Sequence, residues 1–290
     1  MSTIQPEVLA DVPLHAGFYS FKLKQTTDAR ALCAQVNALY QVGNSLVGFG
    51  QGLLDALERQ ISGYYGASDV DGPERISPAQ QCDFWLRLSG EDPGQVALLE
   101  RSWLEGLSPY LDLLERTSGF KHREGRDLTG YVDGTENPED RAVEVVSMEG
   151  EQGIAGSTML AVQLWTHQLD KFHSHSQGDK DNIIGRRESD NEELDDAPIS
   201  AHVKRTSPSQ YQPKAYMLRR SLPWADAGRC GLYFVCFASS LYPFEAQLKR
   251  MLGCDDGVED ALFKFSHPQQ TAYYWCPPVK DDKLDLSAVS

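Results

Sequence analysis

The chain has 290 residues, 41% hydrophobic and 24% charged, with a formal net charge of -15. That length and composition suit a globular protein with a sizeable core, and so acidic a surface repels phosphate backbones, which argues against a nucleic-acid partner. No apolar run approaches the ~20 residues that span a bilayer, and the start, Met1-Ser2-Thr3-Ile4-Gln5-Pro6, has neither a basic nor an apolar leader segment, so no membrane partner and no secretion signal are expected.

In chain order, Tyr19, Phe21 and Leu23 alternate with Ser20 and Lys22, which predicts a strand over 17–23. Thr27 or Asp28 can cap a helix running from Ala29 to about Tyr40. Ser45 to Gly50 reads as a second strand and 53–62 as a short helix, while 66–80 is rich in Gly, Pro, Ser and Asp and reads as loop. Asp83 to Leu88 is a strand, and Val96, Leu99, Trp103 and Leu107 recur at helical spacing in a helix starting near Pro93. A fourth strand is faint, with Leu128 to Val132 the best candidate. Beyond it, Thr158 to Trp165 reads as strand, Thr166 to Phe172 and Lys180 to Gly185 as helices, and Arg186 to Pro198 as an acidic, solvated loop. Strands over 215–221, 231–238 and 271–275 and an amphipathic helix from Phe244 to Leu252 complete the chain. Each half thus approximates strand, helix, strand, strand, helix, strand, the order of a ferredoxin-like unit. The expected class is α+β: duplicated ferredoxin-like units, 1–150 and 151–290, with antiparallel sheets and peripheral helices.

Few residues stand out as chemical. Cys33, Cys82, Cys230, Cys236, Cys254 and Cys276 are scattered without a C-x-x-C pair, which argues against zinc and against a disulfide scaffold, and suits reduced thiols in a cytoplasmic protein. Among the histidines, His173 and His175 are two apart and would point to different helix faces; no H-E-x-x-H, Walker loop or G-x-S-x-G elbow occurs. In Gly130-Tyr131-Val132-Asp133-Gly134-Thr135-Glu136-Asn137-Pro138 the glycines permit a tight loop and Pro138 ends it, which aims Asp133. Taken alone, this stretch equally suits a plain acidic turn. His202 follows the acidic loop, and Arg219-Arg220 precede the strongest strand; a buried arginine there needs an anionic partner, which a structural carboxylate could supply.

Together, Gly130-x-x-Asp133-Gly134, Ile184-Gly185-Arg186, His202-Val203 and Arg219-x-Ser221-Leu222-Pro223 occur in the order and spacing that resembles the dye-decolourising (DyP-type) haem peroxidases, in particular the bacterial, cytoplasmic type B branch. The resemblance spans most of the chain and agrees with the duplicated α+β order. It implies one haem b per chain, with His202 as the iron ligand and Asp260 as the carboxylate behind it. It implies Asp133 as the distal acid/base and Arg219 as the arginine that stabilises O–O cleavage, Arg220 being the competing choice. Ser221 would share the face of Arg219, and Arg186 would lie near a haem propionate. Gln163-Leu164-Trp165 stands where many relatives read Gln-Lys-Trp.

The implied partners are hydrogen peroxide and small-molecule reductants, a second copy of the chain in a homo-oligomer, and an encapsulating shell protein. Trp224, Tyr131 and Trp275 are candidates for relaying electrons from large dyes, as well as for plain core residues. An aspartate ordinarily titrates at about pH 4, so an aspartate-based activity should persist into acid. Two other readings compete: a haem-handling or iron-release protein of the same superfamily, and a non-enzymatic acidic binding module.

Overall fold

The computed structural model describes residues 2–290. A short helix α1 (Pro6–Leu9) leads into β1 (His15–Leu23). Asp28 is the residue that caps α2 (Ala29–Leu39), its Oδ1 accepting from the backbone N–H groups of Arg30 and Ala31 at 3.0 and 3.1 Å. Leu32 and Val36 bury the inner face of that helix. β2 (Ser45–Phe49) follows, then α3 (Gln51–Ala56). The helix expected over 53–62 stops early because Glu58 takes a left-handed φ of 55°. Within the expected loop, β3 (Val70–Asp71) and β4 (Ile76–Ser77) pair as a small hairpin. β5 (Phe84–Gly90) precedes α4 (Pro93–Leu107), which is capped by Asp92 and opens with proline in its first turn.

The fourth strand is β6 (Leu111–Phe120); residues 128–132 are a turn instead. β6 escapes a period-two reading for two reasons. Its Leu113 and Leu114 face solvent, and its pairing with β1 slips register between Ser20 and Phe21. The four long strands of this half lie in the order β6-β1-β5-β2, all antiparallel. Numbered by position in the half, that is 4-1-3-2.

The second half repeats the order with more between its strands. α5 (Ala142–Val146) precedes β7 (Thr158–His167), which continues through Thr166 where a helix was expected. α6 (Leu169–His173), α7 (Gln177–Ile184) and α8 (His202–Thr206) then fill the first crossover. The strand expected over 215–221 is two pieces, β8 (Leu218–Arg219) and β9 (Leu222–Asp226), both paired with β10 (Arg229–Ala238). α9 (Tyr242–Met251) and β11 (Ser266–Cys276) complete the unit. With β8 and β9 taken as one interrupted strand, the order β11-β7-β10-β9 is again 4-1-3-2.

The two sheets join at both ends, β2 to β11 at Phe49 and Trp275 and β6 to β9 at Gly119 and Trp224. This closes the sheet into a ring and removes most open edges. Alternate residues of the strands split into two cores. Phe18, Trp85, Leu160, Tyr233 and Tyr274 form one, in which Phe18 and Tyr233 from different halves stack with ring centroids 4.0 Å apart. The other face, with Phe21, Phe49, Leu86, Ala161 and Cys236, packs under the helices.

Candidate active site

Gln163, Trp165 and His167 of β7 and Leu232 and Phe234 of β10 belong to the helix-facing side of the second sheet. With Phe244, Leu248 and Met251 of α9 they line a cavity. Its wall is mostly apolar, and a few polar groups converge on it: Asp127, Asp133, His167, His202 and Arg219.

His202 is the first residue of α8. Its place depends on Gly185, which ends α7 at a φ of 93°; a Cβ there would come within 2.1 Å of Val203 Cγ1, so only glycine lets α7 end against α8. The backbone N–H of Ala261 donates to the Ser200 carbonyl at 2.7 Å, which brings Asp260 beside His202. Asp260 is 1% exposed. Its Oδ2 lies 2.7 Å from His202 Nδ1, and its Oδ1 accepts from the backbone N–H of Leu262 at 2.8 Å. With that carboxylate ionised, Nδ1 carries the ring proton and Nε2 keeps a free lone pair.

A second histidine borders the same cavity, and sequence reasoning missed it. His167 Nδ1 lies 2.6 Å from Ser266 Oγ, and its Nε2 lies 3.2 Å from Asp127 Oδ1. Both of its nitrogens are therefore engaged by protein, unlike those of His202. Burial pushes the Asp127 carboxyl up, but His167 and the hydroxyl and N–H of Thr129 outweigh it, and the group is held below its ordinary value. The available signal was period two: reading β7 to its true end puts His167 on one face with Gln163 and Trp165.

Asp133 sits on a stapled loop. Its N–H donates to the Gly125 carbonyl at 3.1 Å, and the Arg126 guanidinium donates to the carbonyls of Gly130 and Glu188 at 2.7 and 3.1 Å. Arg219 and Arg220 face different ways. Arg219 lines the cavity, whereas buried Arg220 is held by Glu139 at 3.2 Å and by the Leu9 carbonyl at 3.2 Å. Among the described residues, neither the Asp133 carboxylate nor the Arg219 guanidinium has a hydrogen-bond or ion-pair partner in the protein.

Ser221 and Arg186 lie outside this lining. Ser221 does not line this cavity: the strand breaks between β8 and β9, so the simple alternation from Arg219 fails. Its Oγ accepts from the Val235 N–H at 3.2 Å, and the residue borders a neighbouring cleft that Asp133 and Arg219 also border. Arg186 is also absent from the cavity wall, because Glu136 at 2.7 Å, the Asn191 carbonyl at 3.0 Å and Glu193 at 3.6 Å occupy its guanidinium. Of the relay candidates, Tyr131 lines the cavity with its hydroxyl on Asp181. Trp224 is buried and donates its indole N–H to the Trp165 carbonyl at 2.9 Å, and Trp275 is buried against Phe49. Trp165 itself donates to Gln163 Oε1 at 3.0 Å, so the interposed Leu164 leaves that pair intact.

A family model described as "Dyp-type peroxidase, C-terminal" matches residues 124–281, more than half of the chain and the stretch that holds Asp133, His202, Arg219 and Asp260. The chain belongs to the Dyp-type peroxidase family. A dye-decolorizing peroxidase of Mycolicibacterium paratuberculosis is 28% identical over 231 residues, which is 76% of this chain and 65% of that relative. The chain thus spans just under two thirds of that relative's length. Among solved structures, the dye-decolorizing protein from V. cholerae is 25% identical with a TM-score of 0.85, covering 94% of this chain and 96% of its own. A variant of DypB from Rhodococcus jostii RHA1, described as in complex with heme, is 23% identical with a TM-score of 0.85, covering 93% and 94%; at that identity it supports the fold alone. The ring of two 4-1-3-2 sheets is therefore the fold of this Dyp-type chain and of its structural relatives.

Proposed function

We propose that this chain is a haem peroxidase that holds one haem b, reduces hydrogen peroxide to water, and oxidises one-electron donors such as dyes and phenols. One observation carries the reading. Two unpaired, opposite charges, Asp133 and Arg219, border the same apolar cavity as a histidine with one unclaimed nitrogen. The residues present fit the group. The mostly apolar wall suits a flat macrocycle.

His202 would hold the iron through Nε2, and Asp260 would fix the ring and strengthen it as a donor. Phe234, Phe244 and Leu248 would cover the macrocycle. When bound, haem supplies the redox chemistry that breaks the O–O bond. Asp133, ionised, takes a proton from one peroxide oxygen and delivers it to the other, so that the departing oxygen leaves as water. Arg219 is permanently charged and stabilises the negative charge that builds on that oxygen. Donors then supply two electrons, one at a time, and with two protons the remaining peroxide oxygen is released as a second water.

In this reading the units 1–150 and 151–290 share the work: the first carries the Asp133 loop, the second His202 and Arg219. No helix among the described residues is long and apolar enough to cross a membrane. A cytoplasmic setting, a homo-oligomer and an encapsulating shell protein are further proposals, resting on the resemblance. The test is direct. Protein loaded with haemin should oxidise a dye only when peroxide is added. Stable haem uptake without peroxide-dependent oxidation would instead favour a haem-handling protein.

A further inference from the structure

Asp133 and Arg219 lie 86 residues apart by number and on different halves of the chain, yet one side chain ties their segments together. The N–H of Asn137 donates to the Gly134 carbonyl at 2.9 Å, closing a turn directly after Asp133. The carboxamide of Asn137 then reaches β8. Its Oδ1 accepts from the Arg219 N–H at 2.9 Å, and its Nδ2 donates to the Arg219 carbonyl at 3.1 Å. β8 pairs with β10 on one side only, and the Arg220 N–H donates to Val235 on that side. Arg219 therefore presents its N–H and carbonyl on the open edge, where the amide of Asn137 takes the place of a further strand. Gly134 accommodates the arrangement: its φ is +80°, and a Cβ there would stand 3.0 Å from Asn137 Nδ2. Arg220 is held elsewhere, so this clamp acts on the arginine that faces the cavity and not on its neighbour.

We infer that Asn137 is a positioning residue for the proposed reaction: its two hydrogen bonds to the Arg219 backbone fix the guanidinium relative to Asp133. The inference rests on the peroxidase reading above. Asn137 touches no reacting atom in this account. Displacing a positioned group by about 1 Å can cost on the order of 100-fold in rate, so losing the clamp should slow reaction with peroxide by roughly 10- to 100-fold.

The test is a double-mutant cycle on haem-loaded protein, with the rate of reaction with hydrogen peroxide as the readout. Asn137→Ala should slow that rate while leaving haem affinity unchanged. In an Arg219→Leu background the same change should add little, because the group it positions is gone. An undiminished effect in that background would overturn the inference, since Asn137 would then act through something else. A second readout needs no haem: hydrogen exchange at the Arg219 amide should be faster in Asn137→Ala than in the wild type, and equal exchange would also overturn it. If Asn137→Ala does not fold, Asn137→Asp carries the same cycle, because it keeps the acceptor for the N–H and loses the donor to the carbonyl. The haem-loaded wild type separates the two levels: no reaction with peroxide there sinks the peroxidase reading itself, whereas a reactive wild type beside an equally fast Asn137→Ala sinks only the clamp.

Discussion

His202 Nδ1 stands 2.7 Å from Asp260 Oδ2, and Asp260 is buried and caps the turn that follows it. The pair fixes both the orientation and the tautomer of the imidazole. Partners of this kind typically change metal affinity or activity roughly 10- to 100-fold. Asp260→Asn should therefore weaken haem binding by about that factor and shift the absorption spectrum of the loaded protein. Titration with haemin checks this, and an unchanged affinity with an unchanged spectrum would speak against the role.

Among the described residues, the Asp133 carboxylate and the Arg219 guanidinium have no hydrogen-bond or ion-pair partner, so their removal should leave the fold and haem uptake nearly intact. Asp133→Asn should slow the reaction with peroxide by roughly 10²- to 10⁴-fold, the usual contribution of a positioned base. Arg219→Leu should cost about 10²- to 10³-fold, as for other groups that stabilise developing charge. Rapid mixing with peroxide, followed through haem absorbance, gives both numbers. Two variants as fast as the wild type would remove the assignment.

Asp127 makes a separate prediction about acid. Its carboxyl is pushed up by burial, but His167 and Thr129 hold it below its ordinary value. A depressed carboxylate contributes stability above its unfolded pKa of about 3.9, and loses it as pH falls through the folded value. Asp127→Asn should cost about 1.5–3 kcal/mol at pH 7, the range for hydrogen bonds to a charged group. The gap to the wild type should close below pH ~4. Denaturation curves at pH 7 and in acid check this, and a gap that widened in acid would contradict it.

The thiols should divide by burial. Cys33, Cys82, Cys236 and Cys276 are buried, Cys230 is partly buried and Cys254 is exposed. Burial pushes the Cys33 and Cys236 thiols up to about 12, which removes the thiolate that would attack a thiol reagent. Cys254 should therefore react first in the native protein and Cys230 more slowly. The other four should stay silent until the chain unfolds. Labelling followed by peptide mass analysis reads the order.

α2 and α4 were legible in sequence because each buries a single apolar side at helical spacing, whereas β1 and β10, apolar on both faces, were legible as aromatic-rich strand runs. β6 was hidden by its bulge and its exposed leucines, and β8 and β9 by the break at Arg220 and Ser221. In the site, family motifs pointed to Asp133, His202 and Arg219, and the structure places all three on one cavity. Ser221 and Arg186 stand outside that lining, and their surroundings were not legible because they are non-local: the Val235 backbone in one case, Glu136 and Glu193 in the other. Asn137 was in view as part of a turn, but nothing local signals that its amide reaches a strand 82 residues away.

The most direct measurement is a haemin titration of three proteins: wild type, His202→Ala and His167→Ala. The account predicts saturation at one haem per chain in the wild type and in His167→Ala, with the spectrum of a histidine-ligated haem, and much weaker uptake in His202→Ala. Wild-type affinity and spectrum in His202→Ala would contradict it.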